Sequence, residues 1–405
     1  MKSHVRREKV SINLKKKSAL PILFLVMFLV MVGFGIIIPV LPFYAENLGA
    51  SALELGLLMA VYSLMQLLFA PMWGRISDRI GRKPVILTGI FGLAVSFFLM
   101  ALATKLWMLF AARIIGGLLS SANMPTVTAY VADITSDEDR GKGMGIIGAA
   151  VGLGFILGPA IGGIFSETSL SLPFFIAGIS SFVTFLLVLF VLKESLSPDE
   201  LGKKEKEKVS LRKHLSGPIG ILYFLQLFVS LSLAGLEATF AYFVAARAGF
   251  GAVELGYLFM IMGFAGALVQ GGLVGTLTKR LGELFVIQIG IIISAIGFGL
   301  ILLIDSFLTS AIFLTIFGIG NGFIRPSVSA LLTKTSNVGH GSTTGLLSSF
   351  DSLGRIIGPP LGGWLFAISI GLPYISGIIL SLIAYMLYKV YHVLSYRETG
   401  RYRAN

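Results

Sequence analysis

The chain has no cysteine, only four histidines and few charged residues. Without cysteine it can form neither a disulfide nor a thiolate metal site, and four histidines offer no convincing nucleophile or metal constellation. Charged residues make up 13% of its 405 residues, against the roughly 25% that is usual in soluble globular domains. These absences exclude an ordinary soluble domain, argue against an enzyme, and predict that the protein uses no metal and no cofactor.

Long apolar stretches fill most of the sequence, which is 55% hydrophobic. About 20 apolar residues in a helix cross the hydrocarbon of a bilayer, and twelve stretches of this kind can be placed. The predicted spans are 18–42, 53–76, 84–104, 106–134, 142–165, 171–193, 217–245, 253–277, 284–304, 307–333, 342–368 and 371–393. The first span is too long for a signal peptide and lacks a small-residue cleavage site, so we interpret it as a retained helix.

The basic residues indicate how the spans are oriented. Almost all of the 32 lysines and arginines lie in the two termini and in alternate loops, and only Lys105 and Arg247 fall in the other loops. This positive-inside bias predicts that both termini are cytosolic. The same distribution argues against nucleic acid as a partner, although the net charge is +12.

An internal repeat divides the chain into halves. Four landmarks return after 200 or 201 residues: Glu54-Leu55-Gly56 as Glu254-Leu255-Gly256, Gly74–Gly81 as Gly275–Gly282, Pro125 as Pro326, and Gly158–Gly163 as Gly358–Gly363. We therefore predict an all-α membrane protein, with twelve transmembrane helices in two pseudo-symmetric six-helix bundles. The bundles comprise residues 1–193 and 217–405, and a charged cytosolic linker occupies 194–216. Transporters built from parallel repeats bind near the bilayer midplane between the halves and expose the site alternately.

The segment between spans two and three has glycines and charges at fixed spacing, as Gly74-x-x-x-Asp78-Arg79-x-Gly81-Arg82-Lys83. Two glycines allow a sharp turn, and Asp78 can form an ion network with its basic neighbours. Asp133, at the cytosolic end of span four, is the expected partner of Arg79 or Arg75. We predict a conformational latch that consists of Gly74, Asp78, Arg79, Gly81, Arg82 and Asp133. The alternative is a basic loop that only fixes the orientation of the chain.

Span five is rich in small residues. We predict a helix-packing motif of Gly154, Gly158, Pro159, Gly162 and Gly163, because small residues four apart allow helices to approach closely in lipid and neighbouring helices can accommodate the proline.

Charged residues within the spans are candidates for proton coupling, because ionisable groups in hydrocarbon are costly. Glu237 has no charged residue nearby on its own helix, and burial disfavours the charged form of a carboxylate. We therefore assign it as the principal proton or cation site, with Asp351 and Arg113 as further coupling residues. Asp351 and Arg355 are spaced to pair along one helix, either as a static ion pair or as a pair that opens when Asp351 is protonated. Arg113 could instead be purely structural.

The predicted substrate site combines aromatic and amide side chains on helices expected to line the central cavity, which suits planar, amphipathic and often cationic molecules. Its residues are Tyr62, Gln66, Phe155, Gln226, Phe240, Phe243, Asn321 and Arg325. Packing against lipid or other helices is the alternative for each aromatic residue.

Three of these patterns resemble those of a known family. The Gly74–Lys83 segment resembles the signature loop of the major facilitator superfamily, and Gly154-x-x-x-Gly158-Pro159-x-x-Gly162-Gly163 resembles the fifth-helix motif of its drug/proton antiporter branch. Arg113-x-x-x-Gly117 is similar to a fourth-helix pattern in which an arginine serves the proton pathway. The resemblance implies a monomeric, proton-coupled multidrug exporter of the bacterial cytoplasmic membrane that works by alternating access on small amphipathic substrates.

Two other functions remain open. A transporter of a defined metabolite, such as a sugar, an amino acid or a lipid precursor, could have the same fold. A sensor or scaffold built on the same bundle is the second alternative. ATP is not expected as the energy source, because the sequence has no phosphate-binding Gly-x-x-x-x-Gly-Lys loop.

Overall fold

The computed structural model describes residues 2–196, 217–335 and 340–402. All regular structure in these ranges is helical, as expected for a backbone that must satisfy its hydrogen bonds without water. The predicted all-α fold is therefore confirmed. Most of the predicted linker, residues 197–216, lies outside the described ranges.

The first half contains seven helices: α1 (Lys2–Asn47), α2 (Ala52–Ile80), α3 (Arg82–Ala101), α4 (Leu106–Ser120), α5 (Asn123–Ile134), α6 (Asp137–Ser166) and α7 (Leu172–Val191). The predicted fourth span is divided into α4 and α5 by a short break at Ser121 and Ala122. The predicted loop after span two is largely helical, because α2 continues through Gly74 and Asp78 to Ile80. The turn into α3 therefore depends on Gly81 alone.

The second half contains α8 (Pro218–Ala248), α9 (Ala252–Leu268), a π-helical segment (Val269–Leu273), α10 (Val274–Leu281), α11 (Glu283–Ile301), α12 (Phe307–Thr335), α13 (His340–Ile368) and α14 (Leu372–Tyr402). The predicted eighth span corresponds to α9, the π-helical segment and α10. Within the described ranges, eleven helical stretches are long and apolar enough to cross a membrane. The twelfth long helix is α13, whose Asp351 and Arg355 lower its hydropathy.

The contacts divide the chain into two compact units. The first unit contains residues 2–48 and 64–196, and the second contains 49–63, 217–335 and 340–402. Residues 49–63, which include the beginning of α2, thus pack with the second unit. A Cβ on Gly363 would lie 2.2 Å from the carbonyl oxygen of Ala52. The predicted boundaries had placed residues 49–63 in the first bundle.

Both units use the same packing scheme. In the first unit α1 packs on α6 and α7, and α3 packs on α4 and α7; in the second, α8 packs on α13 and α14, and α11 packs on α12 and α14. These pairs are equivalent under the sequence repeat. Each unit has its own apolar core, around Leu23 and Tyr130 in the first and around Tyr223 and Ile287 in the second.

Large apolar side chains also cover the outside of the helices. Phe190 on α7 is 79% exposed and Met386 on α14 is 65% exposed, and many more leucines and isoleucines are exposed around them. Apolar surface this extensive is unusual for a soluble monomer and suits contact with lipid.

Candidate functional site

Helices α8 and α13 pack so closely that their backbones touch, and we call this contact the α8–α13 seam. Glycines at every fourth position of α13 allow the approach. A Cβ on Gly354 would lie 2.7 Å from Ser230 Cβ, one on Gly358 would lie 2.4 Å from the carbonyl oxygen of Leu231, and Gly362 continues the row. Small residues at this spacing permit close helix packing in lipid. Polar side chains that flank the glycines are thereby brought within bonding distance across the seam.

Glu237 lies in the middle of α8, and its side chain is buried, at 3% exposure. Arg355 of α13 donates a hydrogen bond to it, with 3.3 Å between Arg355 Nη1 and Glu237 Oε2. Burial disfavours the charged form of a carboxylate, and a neighbouring guanidinium favours it. The charge on Glu237 therefore depends on the position of Arg355.

Asp351 lies one turn before Arg355 and is also buried, but it has more partners. Arg325 of α12 approaches it, with Nη2 3.1 Å from Asp351 Oδ2. On the other oxygen, Oδ1 accepts hydrogen bonds from Gln226 Nε2 at 3.1 Å and from Ser230 Oγ. Hydrogen bonds to both oxygens stabilise the ionised carboxylate. Asp351 thus holds in place an arginine whose own side chain is 56% exposed.

These contacts change the predicted pairing within α13. Asp351 and Arg355 still act on each other electrostatically, but each also bonds to a residue on another helix. The close approach of the backbones at the α8–α13 seam explains the difference, because it brings Glu237 beside Arg355. Two acids and two arginines on three helices form one network, which has no net charge when both acids are ionised.

Two further predicted site residues, Gln226 and Arg113, are buried within the helices. Gln226, expected to contact substrate, donates to Asp351 and to Ser230 Oγ. Ser230 was not predicted, although its position four residues after Gln226 on the same face of α8 was a usable signal. Arg113 is buried within α4, at 3% exposure.

Two of the predicted substrate aromatics lie in the core of the second unit. Phe240 and Phe243 are fully buried. The ring of Phe240 contacts Phe259 edge-on with centroids 5.7 Å apart, and Phe243 packs on Tyr374 at 4.5 Å. They fasten α8 to α9 and α14, and in this structure they offer no surface to a ligand.

The other predicted substrate residues differ in how deeply they are buried. Tyr62 is buried in α2 and Gln66 is half-buried one turn later. Phe155 of α6 is half-buried and stacks on Phe34 with centroids 6.3 Å apart. Asn321 of α12 is half-buried and faces a small internal cavity of the second unit together with Ser294.

The predicted helix-packing motif joins α6 to α1 in the first unit. A Cβ on Gly154 would lie 2.6 Å from the carbonyl oxygen of Phe28, and one on Gly158 would lie 2.6 Å from that of Val32. Pro159 touches Gly35 of α1, and Gly162 continues the contact. Gly163 completes the motif one residue later. The two helices lie as close as α8 and α13 do.

The turn between α2 and α3 contains a buried ion cluster. Arg82 is 1% exposed, and its Nη1 lies 2.8 Å from Asp78 Oδ1 while its Nε donates to Asp133 Oδ2 at 2.9 Å. Ser77 Oγ accepts a further hydrogen bond at 2.6 Å. The structure thus gives Asp133 a partner, Arg82, that the prediction of Arg79 or Arg75 had not included. The single-residue turn explains this, because it directs Arg82 inward at the first position of α3 while Arg79 stays exposed on α2.

Glu194 holds the same turn from the end of α7. Its Oε1 and Oε2 accept hydrogen bonds from the backbone amides of Arg82 at 2.8 Å and Lys83 at 2.9 Å, which lie at the start of α3 and have no acceptor within the helix. Gly81 adopts φ +104°, and a Cβ there would lie 2.6 Å from Glu194. No pattern in the sequence pointed to Glu194, because it is more than a hundred residues away from its partners.

The equivalent turn of the second unit has the opposite charges. Gly282 adopts φ +83°, and the residue after it is Glu283, which pairs with Lys334 of α12. Under the 201-residue repeat these positions match Arg82 and Asp133. Lys334 is 65% exposed, whereas Arg82 is 1% exposed. Of these two equivalent pairs, only that of the first unit has a buried cation.

The chain matches proteins of known family over nearly its whole length. The model of the Major Facilitator Superfamily matches residues 23–341 and 273–404. Multidrug resistance protein 2 of Bacillus subtilis (strain 168) is 33% identical over 373 residues, which cover 91% of this chain and 93% of the relative. The quinolone resistance protein NorA of Staphylococcus aureus (strain MSSA476) is 30% identical over 362 residues, covering 89% and 93%.

Solved structures share the fold at lower identity. The nucleoside transporter NupG has a TM-score of 0.74 at 15% identity and covers 93% of this chain and 98% of its own. The human organic anion transporter MFSD10 has a TM-score of 0.67 at 23% identity and covers 92% and 99%. The duplicated helical units, the charged turn after α2 and these matches lead to one conclusion: the chain belongs to the major facilitator superfamily.

Proposed function

We propose that the protein is a multidrug efflux transporter that exports small amphipathic, often cationic compounds in exchange for inward-moving protons. Relatives that match about nine tenths of the chain are named for multidrug and quinolone resistance, which supports drugs over a defined metabolite as the substrates. The protein acts as a transporter rather than an enzyme. It works as a monomer in the bacterial cytoplasmic membrane, with both termini in the cytosol.

The observation that carries the coupling proposal is the buried Glu237 with its arginine partner. Carboxylates within a bilayer are expensive to keep charged, so Glu237 can exchange its ion pair with Arg355 for a proton. A charge that moves through 100 mV supplies about 2.3 kcal/mol, which is enough to maintain a drug gradient of a few tens-fold. Asp351 and Arg113 complete the coupling set.

Drug contacts are assigned to the predicted substrate residues that retain accessible surface, namely Gln66, Phe155, Asn321 and Arg325. Tyr62, Gln226, Phe240 and Phe243 remain part of the proposed substrate site, although they are buried in this structure. The Arg82 cluster at the α2–α3 turn serves as the conformational latch, because its ion pairs must be kept or broken together when the helices around it move.

The test uses purified protein in liposomes with an imposed proton gradient. Wild-type protein is expected to drive ethidium transport against its concentration gradient when protons flow the other way. Glu237→Gln removes the titrating group, so gradient-driven transport should fall to the level of empty liposomes. Glu167→Gln changes an exposed carboxylate and should transport as the wild type does.

Two results would contradict the proposal. Full gradient-driven transport by Glu237→Gln would remove the role of that residue. Gradient-driven uptake of a sugar, an amino acid or a lipid precursor, without any transport of ethidium, would replace the drug exporter by a metabolite transporter.

A further inference from the structure

We propose that Arg355 is a positioning residue that transmits the protonation of Glu237 to Arg325, because it contacts Glu237 and lies one helical turn from Asp351, the partner of Arg325. This inference rests on the proposed function, in which Glu237 takes the proton. It adds a route by which a proton on α8 changes the charge presented by α12.

The four groups form a chain of alternating charge. Glu237 contacts Arg355 directly, Asp351 lies one helical turn from Arg355 on α13, and Asp351 contacts Arg325. Asp351 and Glu237 both act electrostatically on Arg355. Each acid therefore competes for an arginine that the other also attracts.

The two acids of the network are held with unequal strength. Asp351 is fixed by three donors, from Arg325, Gln226 and Ser230. The hydrogen bond that the structure gives Glu237 within the described residues is the single one from Arg355, at 3.3 Å. When the balance changes, the contact between Glu237 and Arg355 is therefore the first to yield.

Protonation changes that balance in a defined direction. A proton that binds a carboxylate oxygen of Glu237 forms one O–H bond and removes the negative charge that attracts Arg355. No other covalent bond changes. The positive charge of Arg355 is then no longer compensated by Glu237 and repels Arg325 while Asp351 still attracts it, so Arg325 is held less strongly. Arg325, which is 56% exposed, becomes a more available cation. Loss of the proton reverses each step.

The surroundings of Glu237 contain no competing charge within the described residues. The charges that act on it are Arg355 and Asp351, both from α13. On α12 the cation of the network is Arg325, which contacts Asp351. On α14 the ring of Tyr374 packs on Phe243 of α8, and Tyr388 and Tyr391 lie in the core that contains Tyr223 of α8. The pH response is therefore expected to depend on the four-charge network.

The experiment measures how strongly Arg325→Gln changes the Kd of ethidium at pH 6 and at pH 8. We expect the effect of this substitution to differ between the two pH values by at least about fivefold, the lower end of usual coupling between sites. In an Arg355→Gln background the effect should be the same at both pH values. Arg280→Gln, which changes an exposed arginine outside the network, should leave the difference as in the wild type.

A second variant keeps the test usable if Arg355→Gln does not fold. Arg355→Lys retains the positive charge, but lysine is a compact point charge that lacks the planar donor group now in contact with Glu237, so the pH difference should shrink. A wild-type difference in both Arg355 variants would overturn the inference. The Glu237→Gln variant separates this failure from failure of the proposed function: a pH difference that persists there would remove Glu237 as the proton site and the relay with it.

Discussion

The same glycine row joins two helices in each unit, but only one of the two contacts is charged. Gly158 packs α6 against α1, and Gly358 packs α13 against α8. The 200-residue repeat aligns Glu237, Asp351 and Arg355 with Ile37, Val151 and Phe155. An apolar contact and a four-charge network thus occupy equivalent positions on one backbone plan.

Helices of this plan can pack closely without charged side chains. The first unit achieves the same close approach with apolar side chains, and buried ion pairs contribute little net stability because their desolvation offsets their attraction. The network of the second unit therefore needs another explanation. Proton coupling supplies one, since it requires a group in the membrane that can gain and lose charge.

The largest effect is expected when the backbone contact itself is broken. Gly358→Ala places a methyl group 2.4 Å from a carbonyl oxygen and Gly158→Ala places one at 2.6 Å, so each variant should lose about 3 kcal/mol, at the upper end of overpacking costs. Gly148→Ala, where no atom lies within 4 Å, is the matched control. Thermal unfolding in detergent measures all three. Equal stability of Gly358→Ala and Gly148→Ala would show that the α8–α13 seam is looser than described.

A smaller effect is expected from removing charge on one side of the network. Asp351→Asn leaves Arg325 without its carboxylate partner and should cost about 2 kcal/mol, less than a fully buried broken pair because Arg325 reaches water. Adding Arg325→Gln removes the unpaired charge, so the double variant should be more stable than Asp351→Asn when their thermal unfolding is compared. A double variant that is less stable would mean that the network is structural, as the apolar contact of the first unit is.

The smallest effect is expected from a comparison of the two equivalent turns, at Gly81 and at Gly282. Alanine is strained at the positive φ of both Gly81 and Gly282, at about 1–2 kcal/mol. At Gly81 the new methyl group also displaces Glu194, 2.6 Å away, whereas nothing lies within 4 Å at Gly282. Gly81→Ala should therefore unfold at a lower temperature than Gly282→Ala, and a reversed order would contradict the role of Glu194.

Local patterns in the sequence predicted the fold well because they follow from the membrane. Apolar length and the repeat were enough to predict an all-helical protein, and the glycines of span five lie where α6 contacts α1. The same reasoning identified Glu237 and Asp351 as buried acids. The predicted loop after span two was too long, because Gly74 lies within α2, which continues to Ile80.

Partner choice could not be predicted, because it depends on contacts between distant segments. Arg355 was expected to bind Asp351 on its own helix, and its direct partner Glu237 is 118 residues away. Arg82 pairs with Asp133 because the one-residue turn at Gly81 places it at the start of α3. Phe240 and Phe243 were expected to contact substrate, yet their rings face α9 and α14, which no periodicity in α8 could distinguish from a cavity.

If Glu237 couples transport as proposed, binding of a cationic drug and protonation of Glu237 must exclude each other. Proton release on ethidium binding, recorded in weakly buffered detergent solution, tests it most directly. The account predicts release of about one proton per bound drug by the wild type, because the binding of a cation favours the ionised carboxylate, and no release by Glu237→Gln. Release of the same number of protons by Glu237→Gln would contradict it.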